Sequence, residues 1–174
     1  ERNGLIVCGP ANSDLPADMI VELGKALGWP ILADPLSGLR AGTHQLHHVI
    51  DSYDALLHST QFASSTAPEV ILRFGAAPTS KRLNQFLNDH HGIPQIVVDT
   101  PGGWRDPEAV TSLMLHADPS TLCTAALKAI KARHPHTFSG AADDPARTHS
   151  GSHSDPLWLE YWTSANAIAQ RALA

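Results

Sequence analysis

The sequence predicts an α/β domain of the three-layer, Rossmann-like kind, a mainly parallel sheet with helices on both faces. Three observations carry that prediction. Short, largely apolar runs such as Gly4-Leu5-Ile6-Val7-Cys8 and Val70-Ile71-Leu72-Arg73-Phe74 suit strands buried on both sides. Between the runs lie segments whose apolar residues recur at helical spacing. Gly or Pro punctuates most of the junctions. Strands that alternate with helices form parallel sheets, and right-handed crossovers make them doubly wound.

The first run, Gly4 to Cys8, ends at Gly9-Pro10. Asp14 to Leu27 then carries Leu15, Met19, Leu23 and Leu27 at steps of four, a helix stopped by Gly28. Pro30 to Asp34 is a second strand, and His47 to Leu57 in the long connection after it has Val49, Ile50, Tyr53, Leu56 and Leu57 on one side, as a helix would. Val70 to Phe74 is the third strand. Thr79 or Ser80 caps a helix through Asn88 with Leu83, Phe86 and Leu87 inward. Gln95 to Val98 is a fourth strand ending at Asp99, Thr100 to Pro107 a Pro/Gly loop, Leu113 to Ala117 a fifth strand, and Ser120 to Ala132 a helix.

From Pro135 to Ser154 the composition shifts to Ser, Gly, Ala, Asp, Pro and His, which is expected of a mobile linker. Leu157 to Leu173 is helical in pattern and carries Trp158, Tyr161 and Trp162. That gives a Rossmann-like domain over residues 1–134, a linker over 135–154 and a C-terminal helix over 155–174. The last helix either folds back on this domain or belongs to the next one.

The 174 residues fit one domain with length for a tail. A formal charge of −5 argues against general affinity for nucleic acid, which needs a basic face. No apolar run approaches the roughly 20 residues of a membrane span. There is no charged-then-apolar leader, and a start at Glu1-Arg2-Asn3 without Met suits an excised fragment. Cys8 and Cys123 form no disulfide framework or zinc knuckle and are expected to be small buried residues in a cytoplasmic protein.

A dinucleotide site needs G-x-G-x-x-G in the first βα turn, so that backbone approaches a pyrophosphate. The turn here is Cys8-Gly9-Pro10-Ala11-Asn12-Ser13-Asp14, with one glycine and an acid that would repel phosphate. The third βα turn, Arg73-Phe74-Gly75-Ala76-Ala77-Pro78-Thr79-Ser80-Lys81-Arg82, is more informative. Helix N-termini favour carboxylates, and cations there cost about 0.3–1 kcal/mol each. Lys81 and Arg82 occupy that unfavourable position beside a cap hydroxyl, at the carboxyl end of a strand where open α/β sheets place ligands. Either they hold a carboxylate or phosphate, or they are solvated. Arg40 follows the second strand and could join the same rim, or be structural.

Eleven histidines raise a metal hypothesis. His44, His48 and Asp51 are spaced to share a helix face, but a zinc site needs three or four preorganised ligands, and no metal is expected. His90-His91 ends a helix, and His134, His136, His149 and His153 lie in or beside the linker. No nucleophile elbow, Walker loop or Ser-His-Asp order is present, so the chain is expected to bind and assemble without a catalytic centre of its own.

Certain strings are more specific in combination. They are Gly28-Trp29-Pro30-Ile31-Leu32-Ala33-Asp34-Pro35-Leu36-Ser37, then Arg73-Phe74-Gly75 with Ser80-Lys81-Arg82, then Val97-Val98-Asp99 with Gly102-Gly103-Trp104-Arg105-Asp106-Pro107. In this order they resemble the central domain of the 2-succinyl-5-enolpyruvyl-6-hydroxy-3-cyclohexene-1-carboxylate synthase family of menaquinone biosynthesis, from about Gly4 to Ile130. The resemblance implies an enzyme whose flanking domains bind thiamine diphosphate and Mg²⁺ across a homo-oligomer interface. It also implies that 2-oxoglutarate is decarboxylated, that its succinyl unit is added to isochorismate, and that this domain binds no cofactor. It assigns Lys81 and Arg82, with Ser80, to a substrate carboxylate, and Arg40 to the same rim or an effector site. A freestanding anion- or nucleotide-binding module and a purely structural spacer are the competing readings. A nucleotide module would respond to ADP or FAD, whereas the synthase domain alone would bind no thiamine diphosphate and turn over nothing.

Overall fold

A computed structural model describes residues 2–11, 15–100, 106, 109–133 and 155–173. The chain runs β1 (Gly4–Cys8), α1 (Ala17–Leu27), β2 (Ile31–Ala33), β3 (Val49–Ile50), α2 (Tyr53–His58), α3 (Thr60–Ser65), β4 (Val70–Phe74), α4 (Lys81–Asp89), β5 (Gln95–Asp99), β6 (Leu113–His116), α5 (Pro119–Arg133) and α6 (Pro156–Leu173). Among these residues the sheet has six strands in the order β3-β2-β1-β4-β5-β6, every pairing parallel.

Strand alternation explains the two cores. Side chains point alternately to opposite faces, so Ile6 and Cys8 of β1 join Ile20, Leu23, Cys123 and Leu127 under α1 and α5. Leu5 and Val7 join Tyr53, Leu57, Leu83, Phe86 and Trp162 under α2, α4 and α6. The result is a helix–sheet–helix sandwich, the expected three layers. Cys8 and Cys123 are both buried and free. Burial pushes the Cys8 thiol far up, with Cys123 adding to it. It raises Cys123 to about 11, with the Asp118 charge contributing.

The outermost strand and its neighbours correct the sequence reading. Val49 and Ile50, expected inside a helix from His47, form β3, and the helix begins only at Tyr53. The Asn166 side chain of α6 accepts from Ser52 N–H at 3.0 Å and donates to the Val49 carbonyl at 3.4 Å, so an amide completes the polar groups of this edge. Helix α1 starts at Ala17, not Asp14, because Pro16 disfavours helical backbone at Leu15. Asp14 lies outside the described residues. At its other end Gly28 is left-handed, φ 68°, and Trp29 N–H bonds the Gly24 carbonyl, the expected glycine stop.

Helix α6 folds back on the domain. Trp162 is fully buried and meets Phe62 and Trp158 edge-on. Trp158 Nε1 donates to the Gly4 carbonyl at 2.9 Å. The proposed linker, 135–154, and Gly102 to Arg105 lie outside the described residues.

Candidate functional site

The carboxyl ends of β1, β2 and β4 carry the loops to be tested. At the end of β2, Asp34 is fully buried, and both carboxylate oxygens are used. Oδ1 accepts from Leu36 N–H at 2.9 Å. Oδ2 accepts from Thr79 N–H at 2.7 Å and from the Thr79 hydroxyl at 2.8 Å. A buried carboxylate is tolerated only when hydrogen-bonded, and this one fastens the β2 loop to the turn that starts α4.

One residue on, Ser80 is the N-cap, its Oγ accepting from Leu83 N–H at 3.0 Å. The cap falls on Ser80, the second of the two residues expected, because Thr79 is committed to Asp34. The Ser80 hydroxyl proton goes to Asp54 Oδ1 at 2.5 Å. Lys81 and Arg82 follow, both exposed, in a first turn with no acidic residue. Among the described residues neither forms an ion pair with an acid.

Arg40 is half-buried. Its Nε donates to the Ala33 carbonyl at 2.8 Å, and its guanidinium lies 5.5 Å from the Tyr53 ring centroid, a cation–π arrangement. Burial raises the Tyr53 phenol to about 12, with the Asp34 charge adding to it and Arg40 opposing. A cleft of about 490 Å³ is lined by Arg40, Tyr53, Asp54, Thr79 and Ser80, with Leu173 of α6 at its edge. A second, of about 510 Å³, lies on the other side of Arg40 against Asn166 and Gln170. The fold thus brings Arg40 and Ser80 to one cleft, while Lys81 and Arg82 stand outside its lining.

The dinucleotide position between β1 and β4 looks different. Pro10 O accepts from Ala76 N–H at 2.7 Å and Phe74 O from Gly9 N–H at 2.9 Å. A Cβ on Gly9 would lie 2.0 Å from the Ala76 carbonyl oxygen. Gly75 is left-handed, φ 77°, and a Cβ there would lie 2.6 Å from the Pro10 oxygen. Glycine here brings the two loops together, where in nucleotide-binding folds it leaves room for a pyrophosphate.

His44, His48 and Asp51 do not share a helix face. His44 and His48 lie in the β2–β3 connection and Asp51 follows β3. His44 Nε2 is 2.8 Å from the Leu39 carbonyl, and Asp51 accepts from Gln170 Nε2 at 2.9 Å. Burial holds the His48 imidazole below its usual range. Among the described residues no group of three or more His, Cys, Asp or Glu is placed to hold a metal.

Asp106, in the loop after β5, accepts from Thr111 N–H at 2.7 Å. It also reaches across the sheet to Arg73 of β4 at 3.4 Å, both side chains buried. Burial lowers the Arg73 guanidinium below its ordinary value, and the Asp106 charge counteracts it. For Asp106 burial acts upward, yet hydrogen bonds from Thr111 and the Arg73 charge outweigh it and hold the carboxyl below the usual range. The sequence reading missed the roles of Asp34, Asp54 and Arg73. An acid directly after a strand and an arginine inside one were the available signals.

The family model described as "Middle domain of thiamine pyrophosphate" matches residues 1–150. The 2-succinyl-5-enolpyruvyl-6-hydroxy-3-cyclohexene-1-carboxylate synthase of Geobacillus kaustophilus is 43% identical over 99% of this chain and 26% of its own length. The proteins of that name from Chloroflexus aurantiacus and Listeria monocytogenes (serovar 1/2a) are 40% and 37% identical, each over 97% of this chain and 26% of the relative. The chain therefore spans about a quarter of the length of these curated relatives. With a parallel sheet in the order β3-β2-β1-β4-β5-β6 and a match over residues 1–150, the chain belongs to the family of thiamine pyrophosphate middle domains, in the form that resembles the central part of these synthases.

Proposed function

We propose that this domain serves, without catalysing on its own, in a cytoplasmic homo-oligomeric synthase that decarboxylates 2-oxoglutarate and transfers the succinyl unit to isochorismate. Its part is to hold a substrate carboxylate with Lys81 and Arg82, with Ser80 and Arg40 on the same rim, and to pack against flanking domains. One observation carries this reading. Among the described residues, two exposed cations without an acid partner follow the cap of a helix whose first turn lacks any acid, at the carboxyl end of a central strand. Such a pair raises the free energy of the helix start unless an anion is present.

Thiamine diphosphate supplies the acyl-carbanion chemistry of such enzymes when bound with Mg²⁺. The residues described here do not fit that group. No acidic cluster suited to a metal is present among them, and the β1–β4 crevice is occupied by backbone-to-backbone contacts. We assign the cofactor to the flanking domains, and no step of this domain passes through it. Its contribution is positional, holding a carboxylate so that the reacting carbon is presented in one orientation. No helix among the described residues is long and apolar enough to cross a membrane.

Lys81→Ala or Arg82→Ala in the full-length synthase should raise KM for an anionic substrate, or lower kcat/KM, by about tenfold or more, as expected for a lost charged hydrogen bond of about 1.5–3 kcal/mol. Steady-state kinetics with each substrate varied in turn is the test. Unchanged constants in both variants would leave the spacer reading standing.

A further inference from the structure

Asp54 and Ser80 come from different helices and meet closely, Ser80 Oγ donating to Asp54 Oδ1 at 2.5 Å while accepting from Leu83 N–H. A hydroxyl has one proton to give, so a carboxylate that holds it keeps another from using it. Asp54 is exposed, so its charge is largely hydrated, and it sits in the first turn of α2, where negative charge is favoured. It lines the cleft that Arg40, Thr79 and Ser80 share. Thr79 N–H and hydroxyl are taken by Asp34. The short polar groups at the start of α4 thus already carry internal carboxylates, whereas among the described residues the long cations Lys81 and Arg82 carry none.

We propose that Asp54 is a specificity-determining residue of the carboxylate site, a resident anion that retains the Ser80 proton and tempers the affinity of the site for anionic guests. This rests on the assignment of Lys81 and Arg82 to a substrate carboxylate. A guest carboxylate is drawn by the cations and opposed by Asp54, which holds the side chain of the adjoining residue Ser80, so it binds through Lys81 and Arg82 without the Ser80 hydroxyl. The device limits how tightly an anionic substrate or product is retained.

The test uses the full-length synthase. Asp54→Asn keeps an oxygen to accept from Ser80 and removes the charge. KM for the anionic substrate should fall about three- to tenfold, the size expected of a partly solvated like-charge contact. The fall should be larger at low ionic strength than in 0.5 M salt, on general screening grounds. A merely structural contact between α2 and α4 would not give a salt-dependent fall. Asp54→Ala, which frees the hydroxyl, should lower KM at least as far; should it fail to fold, the asparagine variant decides alone. An unchanged or raised KM in Asp54→Asn at low salt overturns the role of Asp54. If Lys81→Ala and Arg82→Ala weaken the substrate while Asp54→Asn leaves KM unchanged, only the Asp54 assignment fails. If all three variants leave the kinetics unchanged, the carboxylate site itself is wrong.

Discussion

Two rims at the carboxyl end of one sheet are built in opposite ways. Between β1 and β4 the loops meet backbone to backbone, with Ala76 N–H on the Pro10 carbonyl and no room for a side chain on Gly9. Between the β2 loop and α4, side chains from separate elements surround a cleft, and Asp54, Arg40, Thr79 and Ser80 set its polarity, with the buried Asp34 behind Thr79. A doubly wound topology provides a crevice where the strand order reverses. The spacing of the two loops decides whether a ligand can enter there. In this molecule the open cleft lies one strand over and is lined by side chains rather than peptide groups.

The largest expected effect tests the closed rim. Gly9→Ala places a methyl 2.0 Å from a backbone oxygen, and forcing the loops apart should cost on the order of 5 kcal/mol, at the upper end for single substitutions. Urea unfolding measures it. Wild-type stability would show that the loops part easily, and the contrast between the rims would disappear.

The next effect concerns the strut beneath the rims. Arg73→Met leaves Asp106 buried without its cation and should cost about 3 kcal/mol. The pH dependence sharpens the test. Because the Asp106 carboxyl is depressed in the folded state, its stabilisation is complete above its unfolded value of about 3.9. It is lost as pH falls through the lower folded value. Asp106→Asn should therefore show a flatter loss of stability below about pH 4 than the parent. Denaturation series at pH 3 and pH 6 distinguish the two.

A smaller change bears on α6 where it walls the neighbouring cleft on the other side of Arg40. Asn166→Ala removes the two hydrogen bonds that its side chain makes to the β3 edge and should cost about 1–2 kcal/mol. Amide exchange should quicken at Ser52 more than at Gly9. Equal quickening at both would show that the rims open as one unit.

How much of this was legible in the sequence depended on the range of the interactions. β1 and β4 could be read to the residue, because a strand buried on both faces is a continuous apolar run bounded by Gly and Pro. β3 was hidden, because two residues have no period, and Val49, Ile50, Tyr53, Leu56 and Leu57 also satisfy helical spacing. α3 buries none of its residues, and its main signal is the Ser59 cap, which accepts from Phe62 N–H. At the site, Ser80 as cap and Lys81 and Arg82 as misplaced cations were visible locally. Asp34 and Asp54 were not, since they reach Thr79 and Ser80 across 45 and 26 positions and depend on which strands become neighbours.

The hydrogen bond from Trp158 to the Gly4 carbonyl joins groups 154 positions apart, and it imposes an order on assembly. During synthesis the first strand emerges early, yet its opening carbonyl has no indole to bond until nearly the whole segment has left the ribosome. Contacts so distant in the chain form late, after the entropy of closing a long loop has been overcome. A nascent chain halted before Trp158 would thus hold a sheet covered on that face by α2 and α4 but without α6. The turns of α6 complete the side of the molecule that bears the cleft.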